Sequence, residues 1–388
     1  MKTFYQIFTV LFFAALMAGC DKAPATGDVS GNGDGTGTEA KPQYFYNPVL
    51  YENAQGKKWA LADPSIWKGS DGKYYGVATH IENVMVSDDM INWSYKRDAI
   101  NESLRDTYIG ISGDYPGGHF YAPDVVNING NVLMYVRVGN SEATGVSKKG
   151  SAVAIFREIS APGDYHFEFV KYILSSETEL PGGTKGLSDS SDPEVVVGED
   201  GRVWLFYGGS NGIHRIELTS NGLNLKEGAT LVHVAGNKEA TSVSRDDRYE
   251  GAYLYRKNGY WYMFASAGKY DQPNYSLVVG RCATLDGEFV DHYGNKLTDA
   301  NAGELIGAKR ILKSGSEDQF WGPGHNGEIF TDANGQDYIF YHSHDLDKDP
   351  GKNGSLRYLM LQRIFWDKDG WPYFTDDKPA WRDVKPTL

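Results

Sequence analysis

The feature that most constrains this chain is a hairpin pattern that recurs five times. Each copy has a short apolar run, then a turn in which Asn or Asp precedes Gly, and then a strand rich in aromatic residues. Asn-Gly and Asp-Gly tolerate the positive φ angles of a tight hairpin turn, so each copy predicts two antiparallel strands. The five turn glycines are Gly72, Gly130, Gly201, Gly259 and Gly335.

The spacing of these turns indicates the architecture. Successive turn glycines are 58, 71, 58 and 76 residues apart. This is longer than the roughly 40–45 residues of a compact propeller blade, but it accommodates four strands with long loops. Strand-like runs alternate with turns and show no strong helical period. We therefore predict an all-β fold, a five-bladed β-propeller. A two-sheet sandwich is the alternative, but it does not predict one hairpin type five times at this spacing.

The register of the repeats predicts a site. Asp63, Asp192 and Glu250 each lie nine residues before a turn glycine, as does Tyr121, and His325 lies ten before. Equivalent points of the first strand of each blade face the same end of a propeller channel, so these side chains should converge there. Three converging carboxylates repel one another. Turn formation explains each acid singly but not their shared offset, and we therefore predict a catalytic group.

The first residues indicate export rather than folding. Lys2 is followed by an apolar run over residues 8–18, which is too short for a permanent membrane-spanning helix. The run ends in Leu-Met-Ala-Gly before Cys20, which resembles a bacterial lipobox in which that cysteine is lipidated. We predict a lipoprotein signal peptide over residues 1–19. The alternative is an ordinary signal peptide in which Cys20 is accidental.

The next segment has the composition of a tether. Residues 22–43 are rich in Gly, Asp and Thr, and they contain no aromatic residue. Such a stretch has little apolar surface to bury and behaves as a flexible linker. The predicted domains are therefore a lipidated cysteine and linker over residues 20–43 and a catalytic propeller over residues 44–388. We expect a secreted lipoprotein on the bacterial outer membrane or cell surface, bound to the membrane only through its lipid.

Charge and composition narrow the partners. The formal net charge is −13 and there is no basic cluster, which argues against nucleic acid and anionic membrane surfaces and is compatible with a neutral substrate. Beyond Cys20 the only cysteine is Cys282, so a mature lipoprotein has no intrachain disulfide. Tyr and Trp are abundant and suit both sugar rings and β-strands. We expect a monomer.

Short motifs in a fixed order carry a family resemblance over residues 58–373. In chain order these motifs occupy residues 62–66, 86–93, 121–125, 191–195, 249–253, 279–281, 287–291, 322–326 and 366–372. At these motifs the sequence resembles glycoside hydrolase family 43 and, within it, the α-1,5-L-arabinanases. The segment over residues 86–93 is similar to one that many family members carry.

The resemblance implies a five-bladed propeller that inverts the anomeric centre of its substrate. By position Asp63 corresponds to the general base, Glu250 to the general acid, and Asp192 to the carboxylate that orients the acid and raises its pKa. His325 corresponds to a histidine near a metal ion in the channel, commonly calcium and held largely by water. Inverting hydrolysis requires such a base and acid, with room between them for water.

The resemblance also implies contacts to the substrate, which we expect from Tyr121, Arg281 and Trp321. The sequence departs from the arabinanases where Tyr121 replaces their usual Trp, where Ala62 replaces a frequent His, and over residues 184–191. An exo-acting α-L-arabinofuranosidase or a β-xylosidase is therefore an alternative. A lipoprotein that binds glycans without cleaving them is a third reading, but binding alone does not require an acid and a base.

Two further signals have mainly structural interpretations. His342 and His344 alternate on a predicted strand and so share a face, which permits a metal site. We favour the simpler interpretation that they line the cleft or the surface. Asp124 lies six rather than nine residues before its turn glycine, and we predict that it is structural.

Overall fold

The computed structural model describes residues 42–79, 81–101, 120–139, 151–161, 163–187, 189–237, 248–299, 310–314, 318–348 and 356–388. Cys20 and the predicted signal peptide and most of the linker lie outside these residues. The regular structure of the described ranges consists of 25 β-strands and three single-turn 3₁₀ helices, at Pro181–Gly183, Leu297–Asp299 and Thr375–Asp377. No helix among the described residues is long and apolar enough to cross a lipid bilayer.

Five sheets form the blades. After β1 (Tyr44–Tyr46), blade 1 contains β2 (Leu50–Glu52), β3 (Lys58–Trp59), β4 (Ala62–Lys68), β5 (Tyr74–Thr79), β6 (Ile81–Ser87) and β7 (Asn92–Asp98). The strands of the blades pair antiparallel except where β2 pairs in parallel with β7 in blade 1. Blade 2 contains β8 (Tyr121–Ile128), β9 (Asn131–Gly139), β10 (Ser151–Glu158) and β11 (Phe167–Ser175). Blade 3 contains β12 (Glu194–Val197), β13 (Val203–Tyr207), β14 (Ile213–Leu218) and β15 (Val232–Ala235).

The last two blades follow the same order. Blade 4 contains β16 (Tyr249–Lys257), β17 (Tyr260–Ala267), β18 (Ser276–Cys282) and β19 (Arg310–Leu312). Blade 5 contains β20 (Phe320–Gly324), β21 (Ile329–Thr331), β22 (Asp337–Asp345), β23 (Tyr358–Trp366) and β24 (Pro372–Tyr373). In blade 5 the inner strand is split, because β20 and β21 both pair with β22. The predicted five-bladed β-propeller is confirmed.

The two ends of the folded chain are joined at blade 5. β1 pairs antiparallel with β25 (Arg382–Val384). The Asn47 side chain donates to Leu361 O at 2.8 Å and to Ala380 O at 2.9 Å, and its carbonyl oxygen accepts from Leu361 N at 3.0 Å. One buried amide therefore ties the start of the propeller to β23 and to the segment before β25.

Aromatic residues are used mainly to pack neighbouring blades. Each of the five hydrophobic clusters combines side chains from two adjacent blades, such as Tyr75 of blade 1 with Phe156 of blade 2, and Trp204 of blade 3 with Trp261 of blade 4. Burial of each large ring contributes on the order of 2–3 kcal/mol. The high Tyr and Trp content therefore reflects blade packing first, and it is not by itself a sign of sugar binding.

Side chains on the inner strands also join the blades through hydrogen bonds. On each inner strand, or directly before it in blade 5, one polar side chain accepts a hydrogen bond from a backbone N–H of the next blade. Five such bonds close a circle, which we call the axial ring. Its acceptors are Ser65, Asp124, Glu194, Tyr253 and Glu328, and their donors are the backbone N–H groups of Val125 (3.0 Å), Val195 (2.7 Å), Leu254 (3.1 Å), Ile329 (3.1 Å) and Ile66.

Three members of the axial ring are carboxyl groups that favour the neutral form. Burial raises the pKa of Asp124 to about 7, and burial together with the charge of Asp124 raises the pKa of Glu328 to about 8. The pKa of Glu194 is also raised well above its usual value by burial and by Asp124. These groups should therefore hold protons near neutral pH while still accepting the inter-blade bonds. This agrees with the structural role predicted for Asp124.

The axial ring predicts a stability that falls as pH rises. A carboxyl group with a raised pKa in the folded state adds stability at pH values below its unfolded pKa, near 4, and this contribution is lost as pH rises through the folded pKa near 8. Glu328→Gln keeps an acceptor for Ile66 N but cannot ionise. Between pH 5 and pH 8.5 the variant should therefore lose less free energy of unfolding than the wild type, by on the order of a few kcal/mol. Its melting temperature should fall correspondingly less over this range.

The exposed Glu288 of blade 4 provides the control, because Glu288→Gln should retain the wild-type pH dependence. Identical pH dependence in Glu328→Gln and the wild type would show that the ring carboxyl groups ionise without cost.

Candidate active site

A backbone irregularity within or beside each inner strand shapes the site. At equivalent points of the five blades one residue has a left-handed backbone conformation, and in at least three blades the strand ladder skips around it as in a β-bulge. Bulges redirect side chains, and left-handed backbone outside glycine is uncommon and concentrated at functional sites. The five residues, with φ between 44° and 60°, are Asp63, Ala122, Asp192, Gly251 and His325.

The bulges show that Glu250 stands one residue out of register with the other two acids. Ladder pairing aligns Glu250 with Tyr121 and with Ala62, which precede the left-handed positions of their blades. Asp63 and Asp192 occupy the left-handed position itself. The nine-residue offset that the sequence shows for Glu250 arises because the blade 4 hairpin is one residue shorter. The three acids therefore approach the channel from two different backbone positions.

Asp63 is a buried carboxylate with several close partners. Its Oδ1 lies 2.6 Å from Arg357 Nη1 and 3.3 Å from His325 Nδ1, and its Oδ2 accepts from Thr79 Oγ1 at 2.6 Å. Burial alone would raise the pKa of Asp63, but the charges of Arg357 and His325 outweigh it and hold the pKa well below its usual range. Asp63 is therefore charged at neutral pH, as a general base must be.

Asp192 lies beside Asp63 but has the opposite electrostatic character. Its Oδ2 is 3.9 Å from His325 Nδ1, and its side chain is only 12% exposed. Burial raises the pKa of Asp192 to about 7, and the charges of Glu250 and Asp63 add to this increase, while His325 and Arg137 oppose it. Asp192 is therefore about half protonated at neutral pH.

Glu250 is held by three donors. Arg248 donates to Oε2 from Nη2 at 2.9 Å and from Nε at 3.1 Å, and the hydroxyl of Tyr275 donates to Oε1 at 3.0 Å. These contacts stabilise the charged carboxylate. The neighbouring Asp192 is the acid beside it whose pKa is raised, chiefly by burial.

Two histidines complete this end of the channel. His325 Nδ1 faces both Asp63 and Asp192. His342 is fully buried, its Nδ1 accepts from Asp63 N at 3.2 Å, and burial lowers its pKa to about 3. His342 is therefore a neutral support for the backbone of Asp63. The surface interpretation of His342 and His344 is wrong, because both side chains are fully buried.

The metal prediction places one calcium ion near His325, held largely by water. Within the described ranges, no three His, Cys, Asp or Glu side chains are placed to hold one metal ion together. His325 directs Nδ1 to two carboxylates. A calcium ion near His325 would have to take most of its ligands from water, and it stays a prediction.

The residues expected to contact substrate separate into two groups. Tyr121 is half-buried at the start of β8, and the guanidinium of Arg137 lies 5.0 Å from its ring centre. Because Tyr121 aligns with Glu250, it belongs to the same end of the channel. Trp321 is fully buried and stacks on His344 with 3.8 Å between ring centres. It therefore offers no face to a sugar ring, and the prediction that it binds substrate directly is corrected to a supporting position.

Arg281 lies away from the acids. It pairs in the ladder with Tyr262, near the β16–β17 turn, whereas Glu250 is at the opposite end of the same blade. Its guanidinium is held between Tyr260, at 4.3 Å from the ring centre, and Trp371, at 4.2 Å. The structure therefore does not bring Arg281 to the carboxylates, because residue 281 and residue 250 stand at opposite ends of blade 4.

Four partners of the acids were not found by sequence reasoning. Arg248 carried a usable signal, since it lies two residues before Glu250 in a strand and so shares its face. Tyr275, His342 and Arg357 come from later segments with no shared offset to the acids. Their placement depends on how β18, β22 and β23 pack behind the inner strands.

Comparison with known proteins agrees with this geometry. A family model described as "Glycosyl hydrolases family 43" matches residues 50–372. An extracellular exo-α-(1→5)-L-arabinofuranosidase of Cellvibrio japonicus is 26% identical over 328 residues, covering 81% of this chain and 86% of that protein. An extracellular endo-α-(1→5)-L-arabinanase of Thermotoga petrophila is 27% identical over 360 residues, covering 83% and 72%.

Solved structures show the same fold. An α-L-arabinanase of Cellvibrio cellulosa complexed with arabinohexaose superposes with a TM-score of 0.63 at 22% identity, covering 82% of this chain and 96% of that one. The endo-1,5-α-L-arabinanase structure from Thermotoga petrophila gives a TM-score of 0.64 at 24% identity, covering 81% and 73%. With the family model matching most of the chain, this protein belongs to glycoside hydrolase family 43 and is a glycoside hydrolase.

Proposed function

We propose that this protein is an inverting hydrolase of α-1,5-linked L-arabinan. The observation that carries the proposal is the meeting of three acidic side chains with different partners at one end of the channel. The pKa of Asp63 is held low, burial raises the pKa of Asp192 to about 7, and Glu250 is bonded to Arg248 and Tyr275. Binding alone would not require carboxyl groups with such different pKa values, whereas acid–base hydrolysis does.

In this mechanism Asp63 removes a proton from the attacking water. Arg357 and His325 keep Asp63 ionised, and His342 accepts the hydrogen bond of its backbone N–H. Because Asp63 stands in a left-handed bulge, its carboxylate is fixed by the backbone as well as by its partners. A fixed base aligns the water without further ordering of the site.

Glu250 protonates the leaving oxygen. The proton must be on Glu250 at that moment, and Asp192 is the neighbouring group that holds one near neutral pH. Ionisation of Asp192 would in turn favour the protonated form of Glu250, since two close negative charges repel. Asp192 therefore balances the charge of Glu250 during the cycle.

The proposed substrate class is inferred from the names of the relatives. Their names give activity on (1→5)-α-L-arabinosyl chains, in both exo-acting and endo-acting forms. An exo-acting α-L-arabinofuranosidase or a β-xylosidase is the alternative, and product lengths decide between exo and endo action. Reducing-end assays on linear and debranched arabinan, beside aryl arabinofuranoside and aryl xyloside, separate the three activities.

The cellular location of the protein is also part of the proposal. Three of the relatives are named as extracellular, and residues 1–43 have the composition of a lipoprotein signal and tether. We infer a secreted enzyme that is anchored through Cys20 and that reaches its polymer on a flexible linker. A single calcium ion near His325, held mainly by water, belongs to the same proposal.

The first test removes the acid and the base separately. Glu250→Ala should lose about 10²–10⁴-fold in kcat/KM on arabinan and much less on an aryl arabinofuranoside, because an activated leaving group barely requires protonation. Asp63→Ala should slow both substrates alike. Steady-state kinetics of both variants provide the measurement, and Glu288→Ala, at an exposed site on the far side of blade 4, is the control.

Equal losses on both substrates in Glu250→Ala would contradict its role as the acid. A wild-type protein that cleaves no arabinan, arabinoside or xyloside would instead favour the glycan-binding alternative.

The second test concerns the charge of Asp63. Arg357→Met removes the cation that most lowers the pKa of Asp63. Base catalysis is lost as pH falls through that pKa, so the acidic limb of the kcat/KM profile should move to higher pH, by about one unit. Arg363→Met is a matched control on β23, the strand that begins directly after Arg357, since Arg363 pairs with Asp383 instead. An unmoved acidic limb in Arg357→Met would show that Arg357 does not tune the base.

The third test concerns the anchor. Cys20→Ala should leave the membrane fraction and lose incorporation of radiolabelled fatty acid, because the thiol is the only attachment point that the lipobox provides. Cys282→Ala should remain membrane-bound, since Cys282 is buried in blade 4. Fractionation and labelling of the two variants give the result, and membrane retention of Cys20→Ala would contradict lipid anchoring at this residue.

A further inference from the structure

His344 has an environment that specifies its protonation state. It lies near the end of β22 and is fully buried. Its Nδ1 is 2.9 Å from Leu356 O, and its Nε2 is 2.8 Å from Tyr270 O. Carbonyl oxygens only accept hydrogen bonds, so both ring nitrogens must carry a proton for both contacts to be made. The geometry therefore fits an imidazolium, whereas a neutral ring would direct a lone pair at one of the two carbonyls.

The surroundings can hold this buried charge. The Trp321 ring is nearly parallel to that of His344, at 11° and 3.8 Å between centres, which suits a cation–π contact. Gly322 permits the close packing, since a Cβ there would lie 3.3 Å from His344 Cδ2. The nearby Asp345 carboxylate already bonds Gln319 and Lys348. The two carbonyl oxygens and the Trp321 ring therefore all favour the charged form of His344.

The two carbonyl groups belong to segments that meet beside the base. Tyr270 lies in the connection between β17 and β18 of blade 4, and Leu356 directly precedes Arg357 before β23 of blade 5. The guanidinium of Arg357 lies 4.7 Å from the centre of the Tyr270 ring, and its Nη1 bonds Asp63 Oδ1 at 2.6 Å. One ring therefore bonds both segments that place this cation.

We propose that His344 is a positioning residue that, as an imidazolium stacked on Trp321, fixes Arg357 against Asp63. This inference rests on the proposed function, in which Asp63 is the base. With one hydrogen bond lost, either the Tyr270 segment or the Leu356 segment is released, and Arg357 no longer has a fixed position. Trp321 then acts in catalysis as a support for His344 rather than as a surface for substrate.

Loss of the two hydrogen bonds from His344 to the Tyr270 and Leu356 segments should have a distinctive kinetic effect. The groups that face Asp63 are Arg357, His325, His342 and Thr79. Of these groups, Arg357 is the one whose neighbours Leu356 and Tyr270 are bonded by His344. His344→Phe should therefore move the acidic limb of the kcat/KM profile in the same direction as Arg357→Met, but less far. Phe keeps a ring on Trp321 and removes both N–H groups. In the Arg357→Met background, His344→Phe should produce no further shift, because its effect passes through Arg357.

A measurement that does not depend on activity tests the protonation state directly. In ¹⁵N-histidine-labelled wild-type protein, with His344→Gln to identify the signals, both ring nitrogens of His344 should be protonated at pH 7. A neutral tautomer at this pH would overturn the proposal even if the enzyme proved inactive on every glycoside. An inactive wild type in which both ring nitrogens of His344 are protonated would reject the proposed function. It would still support the inference that His344 is an imidazolium bonded to both segments.

The kinetic experiment compares His344→Phe, His344→Gln, Arg357→Met and the His344→Phe/Arg357→Met double variant. His344→Gln keeps one donor, so it should give a smaller shift, and it replaces His344→Phe if that variant does not fold. His214→Phe is the control, a buried histidine of blade 3 whose Nδ1 also contacts a carbonyl, that of Gly212, at 3.3 Å. Lower activity without a limb shift, or additive shifts in the double variant, would overturn the positioning role.

Discussion

The axial ring is the interaction on which the rest of this structure depends. Each blade alone is an open sheet with an unpaired inner edge. Five hydrogen bonds, each donated by a backbone N–H to a side chain of the preceding blade, close those edges into a circle. In blades 1 and 3 the ring residue stands two positions after the left-handed residue, so Ser65 follows Asp63 and Glu194 follows Asp192. The contacts that close the propeller therefore also fix the backbone that aims the acids into the channel.

Burial has opposite consequences for acids that lie within one site, and their partners explain the difference. Asp63 and Asp192 are both withdrawn from solvent, which raises the pKa of each carboxyl group. Asp63 has Arg357 at 2.6 Å and stays charged, whereas Asp192 has no arginine at that distance among the described residues and faces two other carboxylates. Glu250 forms an ion pair with Arg248. The positions of three arginines, at residues 137, 248 and 357, thus divide one acidic cluster into groups that can give and take protons.

The hairpins and the acids could be read from the sequence because both are local signals. Asn-Gly and Asp-Gly turns specify a hairpin wherever they occur, and Asp63, Asp192 and Glu250 stand close to those turns along the chain. The one-residue offset of Glu250 was hidden because a shorter hairpin in blade 4 cancels it. Arg357 and His344 reach the site through packing between distant strands, which no spacing encodes. Trp321 and Arg281 were misplaced because a motif shows that a residue is near a strand but not which end of the strand or which face is exposed.

The central claim is that Asp63 and Glu250 act on opposite sides of the glycosidic bond through water, without a covalent intermediate. The stereochemistry of the first product tests this most directly. Proton NMR of arabinan or an aryl α-L-arabinofuranoside, followed from the first seconds after enzyme addition, should show the β-anomer of the released arabinofuranosyl end before mutarotation. Initial formation of the α-anomer would mean retention and would contradict the assignment of Asp63 as the base that activates water.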